Sequence, residues 1–189
     1  MKALISIDYT YDFVADDGAL TVGKPAQAIE SSMLKITQDF YEQGDLLVYA
    51  VDRHKENDPY HPESRLFPQH NIVGKLGREL YGNYQVQYES WKDEARVLYL
   101  DKTRYSAFCG TNLDLELRAR KITEIHLIGV CTDICILHTA IDAYNLGYSI
   151  VVHQTAVASF NEAGHQWALV HITNCLGGKV LNNLKRIEV

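Results

Sequence analysis

The chain has no apolar run long enough to cross a bilayer, so a membrane-spanning helix is excluded as its organising feature. It has no Lys/Arg stripe either. The formal net charge is −6 and the basic residues are scattered, so neither nucleic acid nor another polyanion is an expected partner. Cysteine is sparse: Cys109, Cys131, Cys135 and Cys175 are too few and too spread out for a disulfide scaffold. Their expected state is reduced thiol in the cytoplasm. The opening run Ala3–Ile7 closes on Asp8 without a small-residue cleavage site and reads as a first strand, not as a signal peptide. There is no internal repeat and no low-complexity tract.

What is present is a 189-residue chain, 47% hydrophobic, able to bury a sizeable core and short enough for one domain over residues 1–189. Runs rich in β-branched residues at Ala3–Asp8, Leu46–Asp52, Val97–Asp101, Ile125–Val130 and Ser149–His153 are predicted as strands. The near-continuous apolar character of several implies burial on both faces, as in a parallel sheet. Helices are expected over Pro25–Gln43, where Ile29, Met33, Ile36 and Phe40 share a face before Gly44. Others are expected over Leu113–Lys121, Asp133–Asn145 and Asn161–Leu176. This alternation predicts an α/β fold: a three-layer α/β/α arrangement, mostly parallel, with helices on both faces. Residues 53–85 break the rhythm. They hold Pro59, Pro62, Pro68, His54, His61 and His70, and a loop of that length inside a compact domain is usually functional.

In an open parallel sheet, ligands bind beyond the carboxyl ends of the strands. Asp8 ends the first predicted strand, Asp52 the second and Asp101-Lys102 the third. The fourth runs into Cys131-Thr132-Asp133-Ile134-Cys135. Each acid alone is an ordinary turn residue, but four strands delivering carboxylate, ammonium and thiol to one edge point to an active site. Cys135 falls in the first turn of a predicted helix, where free N–H groups favour a thiolate and can hold an oxyanion. Asp8 is the candidate general base for it, and Lys102 the candidate counter-charge. Cys131 precedes the helix and gains less from the dipole. Asp52 and His54, in Asp-x-His spacing, could share a metal ion with His70, and His61 and Glu63 are both candidate fourth ligands. Phe13, Phe67 and Tyr105 could wall a flat apolar pocket. The remaining histidines, His126, His138, His153, His165 and His171, are expected to serve packing.

The segments Ile7-Asp8-Tyr9-Thr10 with Asp12-Phe13, Asp52-x-His54, His61-Pro62-Glu63-Ser64 to Phe67-Pro68-x-His70, and Asp101-Lys102 before Tyr105-Ser106-Ala107-Phe108 carry a family likeness. So does Gly129-Val130-Cys131-Thr132-Asp133-Ile134-Cys135 running into His138-Thr139-Ala140. From Ala3 to about Val180 the chain resembles the nicotinamidase/pyrazinamidase group of the isochorismatase-like cysteine hydrolases. The resemblance implies an isochorismatase-like fold with a metal-binding loop insertion around 53–85 and an Asp-Lys-Cys triad of Asp8, Lys102 and Cys135. It implies oxyanion donors at the backbone of Cys131 and Cys135, and a cis peptide at Val130–Cys131. It also implies one divalent metal, zinc before iron or manganese, on Asp52, His54 and His70, with Glu63 favoured over His61 to complete the shell. Relatives acting on isochorismate or carbamoyl compounds share the triad but generally lack that metal site. The expected activity is therefore hydrolysis of nicotinamide to nicotinate and ammonia, with pyrazinamide a further substrate. The pyridine nitrogen would rest on the metal and the ring would lie among Phe13, Phe67 and Tyr105. The expected setting is NAD resynthesis; whether the chain forms a homo-oligomer is left open.

Overall fold

The computed structural model describes residues 1–182; residues 183–189, the end of the expected 1–189 domain, lie outside the described residues. The strands β1 (Ala3–Ile7), β2 (Leu46–Asp52), β3 (Val97–Lys102), β4 (Glu124–Val130), β5 (Ser149–Ala158) and β6 (Lys179–Leu181) form one sheet. Their order is β3-β2-β1-β4-β5-β6, and every neighbouring pair is parallel. All residues of β1 and β2 are buried, which is why both read as unbroken apolar runs.

The alternation of side chains along each strand divides the core in two. Ile5, Ile7, Val48 and Ala50 face α5 (Leu113–Ala119), α6 (Leu137–Leu146) and α7 (Glu162–Leu176). Leu4, Leu47, Tyr49 and Val51 face α1 (Tyr11–Val14), α2 (Lys24–Ala28), α3 (Glu30–Glu42) and α4 (Gly82–Glu89). The result is the three-layer α/β/α arrangement expected. Met33, Ile36 and Phe40 form the buried face of α3, as their spacing of three and four requires. Each such side chain contributes roughly 1.5–3 kcal/mol by leaving water.

Several boundaries differ from the sequence expectation. The helix expected over Pro25–Gln43 is broken at Ile29 into α2 and α3, because the Ala26 carbonyl takes both the Tyr9 hydroxyl (2.9 Å) and the Ile29 N–H in a tight turn. The helix expected from Asp133 begins as a wide π turn, Thr132–Ile136, before α6; Gly147, at φ +83°, ends it. β5 continues to Ala158 instead of stopping at His153, and α1, α4 and β6 are additional. Leu127 pairs with Val152 but Gly129 with Val157, so the register shifts by three residues within the stretch 153–156 of β5, which bulges there. Within 53–85 the chain is built from two short 3-10 turns, Pro62–Arg65 and Leu76–Arg78, and the start of α4. Bridges from His54 to Ile72 and from Thr10 to Leu80 tie this loop back over the carboxyl ends of β1 and β2. No helix among the described residues is long and apolar enough to cross a membrane.

Candidate active site

The strand order reverses between β1 and β4, and the crevice beyond their carboxyl ends is where an open α/β sheet accommodates a ligand. At the end of β1 the backbone of Asp8 steps to φ +53°, a left-handed conformation that aspartate tolerates better than most residues. Its N–H still bonds the Ala50 carbonyl at 3.0 Å, and its Oδ1 accepts the N–H of Asp52 at 2.8 Å. Lys102 is in register with Asp52 across β2 and β3 and is wholly buried. Its Nζ lies 2.6 Å from Asp8 Oδ2, 2.6 Å from Asp52 Oδ1 and 3.7 Å from Cys135 Sγ. The structure therefore brings Asp8, Lys102 and Cys135 together. Asp101 points the other way, as alternation along β3 demands, and pairs on the surface with Arg53 and Arg78.

Burial dominates the electrostatics here. It raises Asp8 to about 7, with Asp52 adding to the rise and Lys102 opposing it. Burial pushes the Cys135 thiol well up, against the pull of Lys102. Lys102 is held well above its usual value because Asp52 and Asp8 outweigh its own desolvation. Burial thus opposes the helix-start argument for a free thiolate at Cys135, which sits inside a buried π turn. Cys131 is raised to about 12, chiefly by burial and then by Asp133. The Val130–Cys131 peptide bond is cis.

A second cluster adjoins the first through Asp52. Ligand-type atoms of Asp52, His54, Glu63 and His70, all buried, lie within 4.8 Å of one another. His54 Nε2, His70 Nε2 and Asp52 Oδ2 are buried without a hydrogen-bond partner among the described residues, an arrangement that polar atoms avoid unless something else binds them. His70 Nδ1 bonds the Pro68 carbonyl at 2.8 Å, which leaves the Nε2 lone pair facing the cluster. Two imidazoles and two carboxylates suit zinc, iron or manganese, so the donor set fits a divalent ion. His61 is committed elsewhere: Nε2 meets the Thr103 carbonyl at 2.8 Å and Nδ1 accepts the Glu63 N–H at 3.3 Å. The structure brings Glu63, and not His61, together with Asp52, His54 and His70. Burial would raise Glu63, but the neighbouring His70 and His54 imidazoles outweigh it and hold Glu63 below the usual carboxylate range. Burial lowers His54, whereas the contact with Glu63 raises His70 despite burial.

Beside the two clusters lies a cleft lined by Phe13, Phe67 and Tyr105 together with Asp52, Glu63 and Cys135. The sequence reading missed Leu20, Ile134 and Phe160, which also line it. Ile134 stands within the cysteine motif and could have been noticed there. Phe160 reaches the cleft only because β5 extends to Ala158, and no sequence signal announced that bulge. Two histidines assigned to packing also bear on the site. His138 lies beside the Tyr105 ring, with centroids 5.1 Å apart, and His165 Nδ1 pairs with Thr132 Oγ1 at 2.8 Å behind the nucleophile turn.

Comparisons with known proteins agree with this geometry. The isochorismatase domain model matches residues 2–182. The isochorismatase family protein PncA of Bacillus subtilis is 58% identical over 179 residues, covering 95% of this chain and 98% of its own. A crystal structure of nicotinamidase/pyrazinamidase PncA from that organism superposes with a TM-score of 0.94 at 58% identity, over 96% of this chain and 100% of the other. A pyrazinamidase of Pyrococcus horikoshii in complex with zinc superposes with a TM-score of 0.83 at 26% identity, over 96% and 98% of the two chains. A parallel sheet reversing at the acid and thiol strands, a buried Asp-Lys-Cys cluster and a domain match over nearly the whole length converge on one assignment: the chain belongs to the isochorismatase domain family.

Proposed function

We propose that the protein is a nicotinamidase, hydrolysing nicotinamide to nicotinate and ammonia and acting also on pyrazinamide. The observation that carries this reading is the sharing of Asp52 between two buried clusters. Its Oδ1 bonds Lys102 beside Asp8 and Cys135, and the same carboxylate stands in the set formed with His54, Glu63 and His70, where Oδ2 is buried without a hydrogen-bond partner among the described residues. A thiol cluster alone would fit any cysteine amidohydrolase; the second cluster selects a substrate with a metal-binding ring atom. The zinc-bound pyrazinamidase and the PncA structures similar to this chain support the same choice.

Asp8 accepts the thiol proton of Cys135, and the sulfur attacks the amide carbon, forming a C–S bond as the carbonyl π electrons move to oxygen. Backbone N–H groups of Cys131 and Cys135 receive that oxyanion. As the C–N bond breaks, Asp8 returns the proton to nitrogen and ammonia leaves, with a thioester on Cys135. Asp8 then takes a proton from water; hydroxide adds to the thioester, and the C–S bond breaks to give nicotinate and the thiol. Lys102 supports both halves by balancing Asp8 and Asp52 and by placing positive charge 3.7 Å from the sulfur. Phe13, Phe67 and Tyr105 flank the flat ring and exclude water from it. A divalent ion, zinc in this reading, held by Asp52, His54, Glu63 and His70 supplies a Lewis-acid position for the ring nitrogen.

The four free cysteines fit a reducing cytoplasmic setting, where such an enzyme would return nicotinamide toward NAD. The test is ammonia release from nicotinamide by purified protein with and without a chelator. Turnover that the chelator abolishes and added zinc restores supports the reading. Metal-loaded protein that releases no ammonia, or turnover indifferent to the chelator, overturns it.

A further inference from the structure

A single carboxylate with no part in the chemistry above, Asp12, reaches three segments that shape the site. Its Oδ2 accepts the N–H of Asn71 at 2.7 Å and its Oδ1 accepts the N–H of Ala19 at 3.2 Å. Its own carbonyl accepts the N–H of Leu20 at 3.1 Å, and the next residue, Phe13, bonds Val22 in the same way at 2.8 Å. Phe13 and Leu20 line the cleft. Asn71 directly follows His70 and stands fully buried at φ +46°. Its side-chain Oδ1 accepts the Thr10 hydroxyl at 2.9 Å, and its carbonyl accepts the N–H of His54 at 3.1 Å. The Phe13 ring meets the His70 ring edge-on with centroids 5.2 Å apart. Gly77 packs so closely on the Asp12 carboxylate that a Cβ there would collide with it.

From these contacts we infer that Asp12 is a positioning residue: through Asn71 it fixes His70 and His54 as ion ligands, and through Ala19 and Leu20 it fixes the Phe13 wall in register with them. The inference rests on the reading of Asp52, His54, Glu63 and His70 as the metal site. The physical ground is that ligand imidazoles bind tightly only when their backbone and outer contacts hold the ring in place, and that removing such a contact weakens metal affinity by about 10- to 100-fold. A charged acceptor of two backbone N–H groups is among the stronger contacts of this kind.

The experiment measures zinc affinity of the apoprotein by competition with a chromophoric chelator, for wild type, Asp12→Ala and Asp12→Asn, alongside KM and kcat at saturating zinc. Zinc binding is expected to weaken at least about 10-fold in Asp12→Ala. Asp12→Asn, which keeps one acceptor oxygen, should fall between it and wild type, and KM should rise more than kcat falls. Should Asp12→Ala not fold, Asp12→Asn carries the comparison alone, with weakened zinc binding still expected. Wild-type zinc affinity in the folded variants, even with a lowered Tm, overturns the inference while leaving the metal site intact. A wild-type protein that binds no zinc overturns the metal reading and this inference with it.

Discussion

Asp52 Oδ1 and Lys102 Nζ lie 2.6 Å apart, both side chains buried, and this contact joins the thiol cluster to the candidate metal cluster of Asp52, His54, Glu63 and His70. Asp52→Ala is expected to lose both functions together: zinc affinity falls, and turnover is not restored by excess zinc, because Lys102 loses one of the two carboxylates that hold it. Glu63→Ala removes a ligand but leaves Asp8, Lys102 and Cys135 in contact. Its turnover should recover in part at high zinc. Zinc titration of activity in the two variants separates these outcomes; equal rescue of both would mean that Asp52 acts only as a ligand.

Lys102 is the single cation between two buried carboxylates. Lys102→Met leaves that pair uncompensated, and breaking a buried ion pair by removing one partner typically costs about 3–5 kcal/mol. Activity should fall about 100-fold or more, since Asp8 would hold its proton too tightly to serve as a base. Urea denaturation of the apoprotein checks the stability, and ammonia release checks the rate. An unchanged denaturation midpoint would contradict the burial argument.

Glu63 and His61 are distinguished by their bonds. His61 uses both ring nitrogens, on the Thr103 carbonyl and the Glu63 N–H, whereas the Glu63 carboxylate faces His54 and His70 at 3.9 and 3.5 Å. Zinc affinity should therefore fall further in Glu63→Ala than in His61→Ala. Competition titration of both variants reads this directly, and the reverse order would make His61 the ligand.

How much of this could be read from residues alone depends on whether a signal is local. The runs Ala3–Ile7 and Leu46–Asp52 announced central parallel strands because both faces of each are buried, and strand ends then located Asp8, Asp52 and Lys102. Asp101 and Lys102 could not be told apart by position; alternation along β3 sends one to the surface and the other inward. Cys135 does lie in the turn that opens a helix, as its sequence position implies, but its burial comes from distant packed neighbours that leave no trace in the local sequence. Phe160 was invisible because the β5 bulge arises from pairing with β4, a contact between distant residues.

Gly129 occupies φ +114° in β4, and a Cβ at that position would collide with the Ile7 backbone of β1. Gly129→Ala should cost roughly 1–3 kcal/mol from the backbone conformation alone, with the collision adding to it. Chemical denaturation measures the loss. A change within about 0.5 kcal/mol, the range of ordinary surface substitutions, would show that β1 and β4 can part without penalty.

A buried histidine pair far from the cleft sets a pH limit on stability. His126 Nδ1 and His153 Nε2 are 2.9 Å apart; burial, then the neighbouring His126, lowers His153 from 6.5 to about 4, and burial lowers His126. Because the folded His153 resists a proton that the unfolded chain takes near 6.5, its stabilising share is full above that pH. It is lost as pH falls from 6.5 toward 4. The loss is about 3 kcal/mol, from 1.36 kcal/mol per pKa unit over the fall from 6.5 to about 4. His153→Gln should flatten the denaturation midpoint over this window relative to wild type. An identical pH slope in the two proteins would remove the pair from the account.

The central claim is that Cys135 attacks the amide while the neighbouring cluster holds an ion. Ammonia release from nicotinamide by zinc-loaded Cys135→Ala, measured beside zinc-loaded wild type and with zinc content determined in both, tests it most directly. The account predicts release by wild type and none above background by the variant, at equal zinc content. Turnover near the wild-type rate in Cys135→Ala would contradict it and make metal-activated water the nucleophile.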